Sequence, residues 1–263
     1  MSESSISEVA RYLIAARRDH RQWDASDAAP LNDAGEAYAV QDLVTGGLDA
    51  DLGGWKTSAP DPHSVPIAAP IYSALLHRTG TQIPASELFV IGIEGEIAFR
   101  MKRDLPPLDR PYSREDLLAA AGEMLPAIEI VDTRMTNGLE EGRHLILADN
   151  QSNGGLVIGP GIVNWQNLNL SRQAASVTVN GQVKYSGIAA NRAGDLFRLM
   201  AWAADHCATR KRPIRAGDII TTGTYTGMIL VEPGAEVVVE FPEIGRVKVS
   251  FPVGPKIPDE VGN

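Results

Sequence analysis

Cysteine is almost missing from this sequence. Cys207 stands alone among 263 residues, so no disulfide can form within the chain and no cysteine–histidine cluster can hold a structural zinc, which fits a reducing cytoplasm. Positive charge is also in short supply: 24 Lys and Arg face 33 Asp and Glu, for a formal net charge of −9. That balance speaks against a nucleic-acid backbone or an anionic membrane surface as partner, because both demand a clustered positive field. No apolar run approaches the ~20 residues that span a bilayer. In MSESSISEVARYLIAARR the basic residues follow the apolar ones, the reverse of a signal peptide. Repeats and low-complexity tracts are absent too. What is present is 44% hydrophobic residues, enough for a substantial core in one large domain, with or without a small appendage.

Helical spacing opens the chain. Ile6, Val9, Leu13 and Ile14 recur over Ser5–Arg18, and Ala37, Tyr38, Gln41 and Val44 over Asp33–Leu48. Turn formers in DADLGGWK then mark a change of character, so residues 1–52 are expected to form a helical region and residues 53–263 a β-rich domain. Strands are expected at Leu88–Met101, Ala127–Val131, Leu156–Ile158, Ser176–Tyr185, Glu236–Phe241 and Arg246–Phe251, with Asn180-Gly181 as a tight hairpin turn. Two later helices are expected at Ser113–Met124, entered by a Ser113/Asp116 capping box, and at about Gly194–Thr209. Many strands with few helices between them predict an α+β fold with a largely β core.

Strand alternation places Ile91, Ile93, Ile97, Phe99 and Met101 on one face of FVIGIEGEIAFRM and Glu94 and Glu96 together on the other. Residues two apart sit ~7 Å from each other at Cα, a gap that two glutamate side chains can close onto one ion. Gly92 and Ala98 leave that face uncrowded. In PAIEIVD, Glu129 lies in a stretch too apolar for a solvated surface, and an unpaired buried charge is costly. Three carboxylates suit a hard cation such as Mg²⁺ or Mn²⁺. Spacing alone is also met by a solvated strand face, so the pair by itself says little.

The ordered series EAYAVQ, GWKTS, IEGEIAFRMKRDLP, PAIEIVDTRM, LADNQSNGGLVIG, RAGDIITTGTYTG and VEPG resembles the 2-keto-4-pentenoate hydratase and 2-oxo-3-enedioate decarboxylase group of the fumarylacetoacetate hydrolase superfamily, from about Glu36 onward. The resemblance implies a β-rich roll or sandwich with a helical N-terminal region, and makes Glu94, Glu96 and Glu129 ligands of Mg²⁺ or Mn²⁺. It implies a 2-oxo or 2-hydroxy-enoic acid as substrate, held by its carboxylate and C2 oxygen. Lys56 takes the place of the group's lysine, with a catalytic role as acid, base or fixed charge. Thr224, in a Gly-flanked turn, and Asn150, in ADNQS, are implied substrate contacts. His63 and His144 fall on no catalytic motif, and Cys207 reads as a small core residue.

The expected activity is that of a hydratase adding water to a 2-hydroxy-2,4-dienoate in aromatic catabolism. The alternatives are decarboxylation of a 2-oxo-3-enedioate, hydrolysis of an acylpyruvate, and a non-catalytic subunit beside a paralogue; a homo-oligomer is implied. Two segments depart from the group's pattern: SAPDPHSVPIAAPIYSALL, after Lys56, has no aspartate at the place where the group carries an acidic residue, and NRAGDLFRL replaces a Gly-His-Pro-like stretch. Loops of this kind shape the far end of a pocket.

Overall fold

Helix α1 (Ser5–Asp19) buries Val9, Ala10, Leu13 and Ala16 on one face, and α2 (Ala34–Gly47) answers with Ala37, Val40 and Val44. The computed structural model describes residues 5–26 and 28–254. Asp33 caps α2 by accepting the Glu36 N–H at 2.9 Å, satisfying a backbone donor that the helix start leaves open. The same apolar cluster takes in Leu147 and Ala148 of a short helix, α4 (Arg143–Ala148), and the buried Gln41 side chain donates to the Leu147 carbonyl at 2.7 Å.

The rest of the described chain is mainly strand. In order these are β1 (Leu52–Ser58), β2 (Ile67–Tyr72), β3 (Leu76–Arg78), β4 (Thr81–Gln82), β5 (Gly92–Met101) and β6 (Ala121–Val131), then β7 (Asn153–Ile158), β8 (Gln173–Val179), β9 (Gln182–Ala189), β10 (Ile219–Leu230), β11 (Glu236–Phe241) and β12 (Gly245–Ser250). Helix α3 (Arg114–Ala120) precedes β6, and α5 (Leu196–Thr209) lies between β9 and β10. One sheet has the order β2-β1-β10-β5-β6-β7-β3 and the other β4-β12-β11-β8-β9. Both are mixed, with β1 parallel to β10, β3 to β7 and β4 to β12.

The core sits between the sheets. Ile93, Ile97 and Phe99 of β5 and Ile128 and Ile130 of β6 pack with Val237, Val239, Val247 and Val249 of β11 and β12, and α5 adds Phe197, Met200 and Ala203. Burying apolar side chains of this size contributes about 1.5–3 kcal/mol each. Gly95 faces the second sheet. A Cβ there would come within 2.9 Å of the Thr226 side chain and 3.0 Å of Val239, so glycine lets the two sheets approach. With the odd residues of β5 committed to the core, Glu94, Glu96 and Ala98 point to the other face.

The α+β fold with a helical start and a β core is as expected, and Asn180 (φ 50°) and Gly181 (φ 77°) form the hairpin turn between β8 and β9. Helix α3 has its capping box but ends at Ala120, short of the expected Met124. Residues 121–125 pair with β5 instead, which buries both Met124 and Leu125 on opposite faces of a strand. Strand β5 starts at Gly92, not Leu88, because the N–H groups of Phe89 and Val90 are taken by the Asp132 carboxylate at 3.0 and 2.9 Å. The turn expected around Thr224 is an irregular stretch inside the long strand β10, which shifts register between Thr221 and Thr224 and again before Met228. Strands β1 to β4, the long central strand β10 and helix α4 were not among the elements expected from the sequence.

His206 of α5 stacks on Trp202 with ring centres 4.5 Å apart and lies against Tyr38 at 4.3 Å. Burial, followed by the charge of Arg210, pushes its pKa down from 6.5 to about 4. The unfolded chain therefore takes up this proton first. The contribution of His206 to stability is fully present above pH 6.5 and is lost as pH falls from there toward about 4. Denaturant midpoints measured between pH 7.5 and 4.5 are expected to show the wild type losing stability relative to His206→Gln as the pH falls, the difference isolating this histidine from the other titrating groups.

Candidate metal centre

Antiparallel pairing sets Glu94 of β5 directly opposite Glu129 of β6, with Glu96 opposite Ala127, whose small side chain leaves the space above it open. Like charges directly opposite each other weaken a strand pair. One carboxylate oxygen from each of Glu94, Glu96 and Glu129 lies within 4.8 Å of the other two. Glu96 and Glu129 are each 1% exposed. Burial and then the Glu129 charge raise the Glu94 pKa to about 7. Burial and the two neighbouring carboxylates hold Glu96 well above the usual carboxylate range, partly offset by a hydrogen bond from Thr221.

Other strands supply the groups that fix this cluster. Lys56, on β1, is buried and pairs with Glu129 Oε1, and its Nζ also donates to the Gln151 carbonyl at 3.0 Å. Asn153, at the start of β7, donates to the same Glu129 oxygen at 3.1 Å. On β10 the Thr221 hydroxyl donates to Glu96 Oε2, which also accepts the Gly223 N–H at 3.3 Å. Gly223 has φ +88°, and this left-handed turn aims its N–H at the carboxylate. Lys56 pairs with Glu129 and the charge of Arg192 reaches Glu94, so two cations face three gathered carboxylates and leave negative charge that the protein's own groups match only in part. An oxygen-only set of this kind fits a hard divalent cation and suits neither a soft metal nor a zinc finger geometry.

A cavity of about 410 Å³ opens over the cluster, lined by Lys56, Ser58, Gln151, Arg192 and Thr224 among others. The expected residues Glu94, Glu96, Glu129, Lys56 and Thr224 thus share one site. The Thr224 hydroxyl accepts the N–H groups of Thr226 at 3.2 Å and Gly227 at 2.9 Å, which shapes the wall of the cavity. Asn150 is buried behind the wall, and its neighbour Gln151 lines the cavity in its place. Asn150, Gln151 and Ser152 all have left-handed backbones, with φ of 54°, 53° and 55°. For residues with a Cβ that conformation costs about 1–2 kcal/mol each, and such strain gathers at functional sites. Ser58 donates to Gln151 Oε1 at 3.3 Å, while Gln151 Nε2 is enclosed without a hydrogen-bond partner among the described residues.

Neither His63 nor His144 lines this cavity. His63 sits in an Asp61-capped turn, and His144 Nδ1 meets the Leu31 carbonyl at 2.9 Å. Cys207 is buried in α5, where burial raises its thiol pKa and leaves it a core residue. Asp149 of the ADNQS segment is a structural anchor, accepting from Arg134 at 2.7 and 2.9 Å and from Arg17 at 3.1 Å. Gln151, Arg192 and Thr221 were not singled out in the sequence. The only trace of Arg192 was the unusual NRAGDLFRL segment.

Residues 49–251 match the fumarylacetoacetate (FAA) hydrolase C-terminal family, and the chain belongs to it. It is 28% identical over 265 residues to a 2-keto-4-pentenoate hydratase of Paraburkholderia phymatum, covering 95% of this chain and 99% of that protein. A 2-hydroxyhexa-2,4-dienoate hydratase of Comamonas testosteroni is 31% identical over 158 residues, covering 60% of this chain and 59% of that one. Among solved structures, the fold superposes with a TM-score of 0.82 on 4-oxalocrotonate decarboxylase from Pseudomonas putida G7, complexed with magnesium and adipate. That protein is 22% identical, with 95% of this chain and 98% of that chain covered. No helix among the described residues is long and apolar enough to cross a membrane.

Proposed function

We propose that this member of the fumarylacetoacetate hydrolase family is a divalent-metal-dependent hydratase, adding water to a 2-hydroxy-2,4-dienoate to give a 4-hydroxy-2-oxo acid in the breakdown of aromatic compounds. The observation that carries the reading is the gathering of three carboxylates and one buried lysine under a cavity sized for a small acid. The hydratase relatives that span nearly the whole chain support it. Glu94, Glu96 and Glu129 would hold Mg²⁺ or Mn²⁺. A bound divalent ion supplies Lewis-acid polarisation of a 2-oxo group.

The protein's own groups do the rest. Thr221 and the Gly223 N–H hold Glu96 in place, and Asn153 and Lys56 hold Glu129, so the ligand set is positioned before any ion arrives. Lys56 is the ammonium beside the substrate head, where it neutralises the head carboxylate and can hold or pass a proton at Nζ. Thr224 and Gln151 line the cavity and carry hydrogen-bonding groups on its wall for the substrate. The near-complete burial of Glu96 and Glu129 keeps bulk water away and strengthens each of these contacts.

Decarboxylation of a 2-oxo-3-enedioate uses the same head-group contacts, and a Pseudomonas putida 4-oxalocrotonate decarboxylase is 29% identical over 210 residues. Incubation with 2-hydroxypenta-2,4-dienoate and with 2-oxohex-3-enedioate, with and without Mg²⁺, followed by mass spectrometry separates the two. Gain of water supports the hydratase, and loss of CO₂ supports the decarboxylase. Calorimetry showing no Mg²⁺ or Mn²⁺ binding would sink both, leaving the non-catalytic subunit. The buried lone cysteine is in keeping with a reducing cytoplasm. A homo-oligomer is the expected assembly, to be checked by light scattering.

A further inference from the structure

The two segments that depart from the group's pattern in sequence meet in the structure. One contains the connection 59–66, which leaves the sheet where Ser58 of β1 pairs with Ile67 of β2. The other is the stretch 191–199, which leads from β9 into α5. Each supplies part of the cavity wall, Ala59 and Pro60 from the first and Asn191 and Arg192 from the second. Ala59, Ala193 and Leu199 bury a small apolar cluster between them, separate from the main core. Gly194, with φ +76°, lies so near Pro62 that a Cβ would come within 3.3 Å of its ring.

One side chain clamps the two together. Arg198, in the first turn of α5, donates to the carbonyls of Ser64 at 2.8 Å and Asp61 at 3.1 Å. Among the described residues, no other hydrogen bond ties 59–66 to the rest of the chain. The remaining bonds of the connection are internal: the Asp61 carboxylate accepts the N–H groups of His63 at 2.7 Å and Ser64 at 2.8 Å, and the Ser64 hydroxyl donates to it as well. Asp61 thus shapes the turn, and Arg198 fixes where the turn sits. A guanidinium presents its donors in a rigid fork, which holds two carbonyls at a set spacing better than a flexible ammonium can.

We infer that Arg198 is a positioning residue for substrate selection: by clamping 59–66 to α5 it sets the wall against which the tail of the bound acid packs. The inference rests on the reading of the cavity as a 2-oxo-acid site. With the head of the acid at the carboxylate cluster and Lys56, the apolar lining left for its carbon chain is Ala59, Pro60 and Ile67, at and beside the clamped connection. Dispersion contact is lost in large part once a gap of about 0.5–1 Å opens, so a wall that drifts stops favouring a longer tail. Arg198 itself does not line the cavity, and the cluster keeps its own hydrogen bonds without it.

The test is binding of pyruvate and 2-oxohexanoate, which share a head and differ in tail length, measured by calorimetry on the full chain with Mg²⁺ present. The wild type is expected to bind 2-oxohexanoate ~10-fold or more tightly than pyruvate, as a few buried methylene groups would provide. Arg198→Met is expected to erase most of that preference while pyruvate and Mg²⁺ bind as before, and Arg198→Lys, which keeps a donor, to restore part of it. Asp61→Ala, which leaves α5 untouched, is expected to act in the same direction and to add little to Arg198→Met in the double variant, since both changes act on one turn. It decides the matter if α5 does not tolerate Arg198→Met. Equal binding of the two acids by the wild type overturns the inference alone. So does a preference that survives in the variants, or an equal fall for both acids, which assigns Arg198 a general structural role. Bound Mg²⁺ with neither acid binding overturns the 2-oxo-acid reading and the inference with it.

Discussion

Glu94→Gln is expected to abolish turnover and erase stabilisation by Mg²⁺ while leaving the fold intact. The amide is the same size as the carboxylate, and Glu94 shares the cavity face of β5 with Glu96, the face away from the core between the sheets. It lies directly opposite Glu129, and burial together with the Glu129 charge already raises its pKa to about 7. Removing one charge from this cluster relieves repulsion, so the metal-free variant is expected to melt at or above the wild-type temperature. With Mg²⁺ at 100 times its dissociation constant the wild type gains about 2.7 kcal/mol, roughly 5 °C for a chain of this length. The variant gains none. Loss of one ligand to the ion that polarises the substrate lowers turnover by ~10³-fold or more, or about 4 kcal/mol of transition-state stabilisation. Thermal melts with and without Mg²⁺, paired with turnover of 2-hydroxypenta-2,4-dienoate, check both halves. A variant that keeps its Mg²⁺-dependent rise and its activity refutes the assignment of Glu94 as a ligand.

Asp149→Ala is expected to be the most destabilising single change away from the cavity. Asp149 is buried and accepts from two arginines, Arg134 and Arg17, whose own side chains are 5% and 11% exposed. Its loss leaves two facing cations with only Asp132 close by, 3.5 Å from Arg134. Breaking a buried pair by removing one partner costs about 3–5 kcal/mol, which corresponds to a fall of roughly 10 °C in melting temperature. The damage reaches the site. The Asp149 side chain, held by the Arg134 N–H and guanidinium, fixes the backbone whose carbonyl accepts the Ser152 N–H at 3.0 Å, and so braces the left-handed turn through Asn150, Gln151 and Ser152. That turn presents the Gln151 carbonyl to Lys56. Activity is therefore expected to fall in the folded fraction as well, and Asp149→Asn, which keeps an acceptor oxygen, to lose less of both. Denaturant unfolding and activity measured well below the lowered midpoint separate the two effects; an unchanged midpoint would contradict the anchoring role.

Much of this was legible in the chain because it is local. Alternation along β5 sorts Ile93, Ile97 and Phe99 from Glu94 and Glu96 without reference to anything distant, and the apolar flanks of Glu129 mark a strand that has to be buried. Helices α1 and α2 announced themselves by spacing, and the hairpin at Asn180-Gly181 by its need for positive φ. Local signals misled where distant pairing took over. The helix expected to run to Met124 gave up its last turn to a ladder with β5, and the turn expected at Thr224 became an irregular part of β10 because β5 pairs Glu96 with Thr224 between two shifts of register.

By itself, then, the sequence placed Glu94 and Glu96 on one strand face and Glu129 in an apolar strand, while their joint role as ligands was implied only by the resemblance of the ordered motifs around them. Only the tertiary structure decided what surrounds them. Lys56 comes from β1, Thr221 from β10, Gln151 from a strained turn and Arg192 from a loop after β9, and no periodicity within any one segment reports on the others. Their meeting depends on the strand order β1-β10-β5-β6, a set of long-range pairings that hydrogen-bond geometry enforces only once the whole sheet has formed.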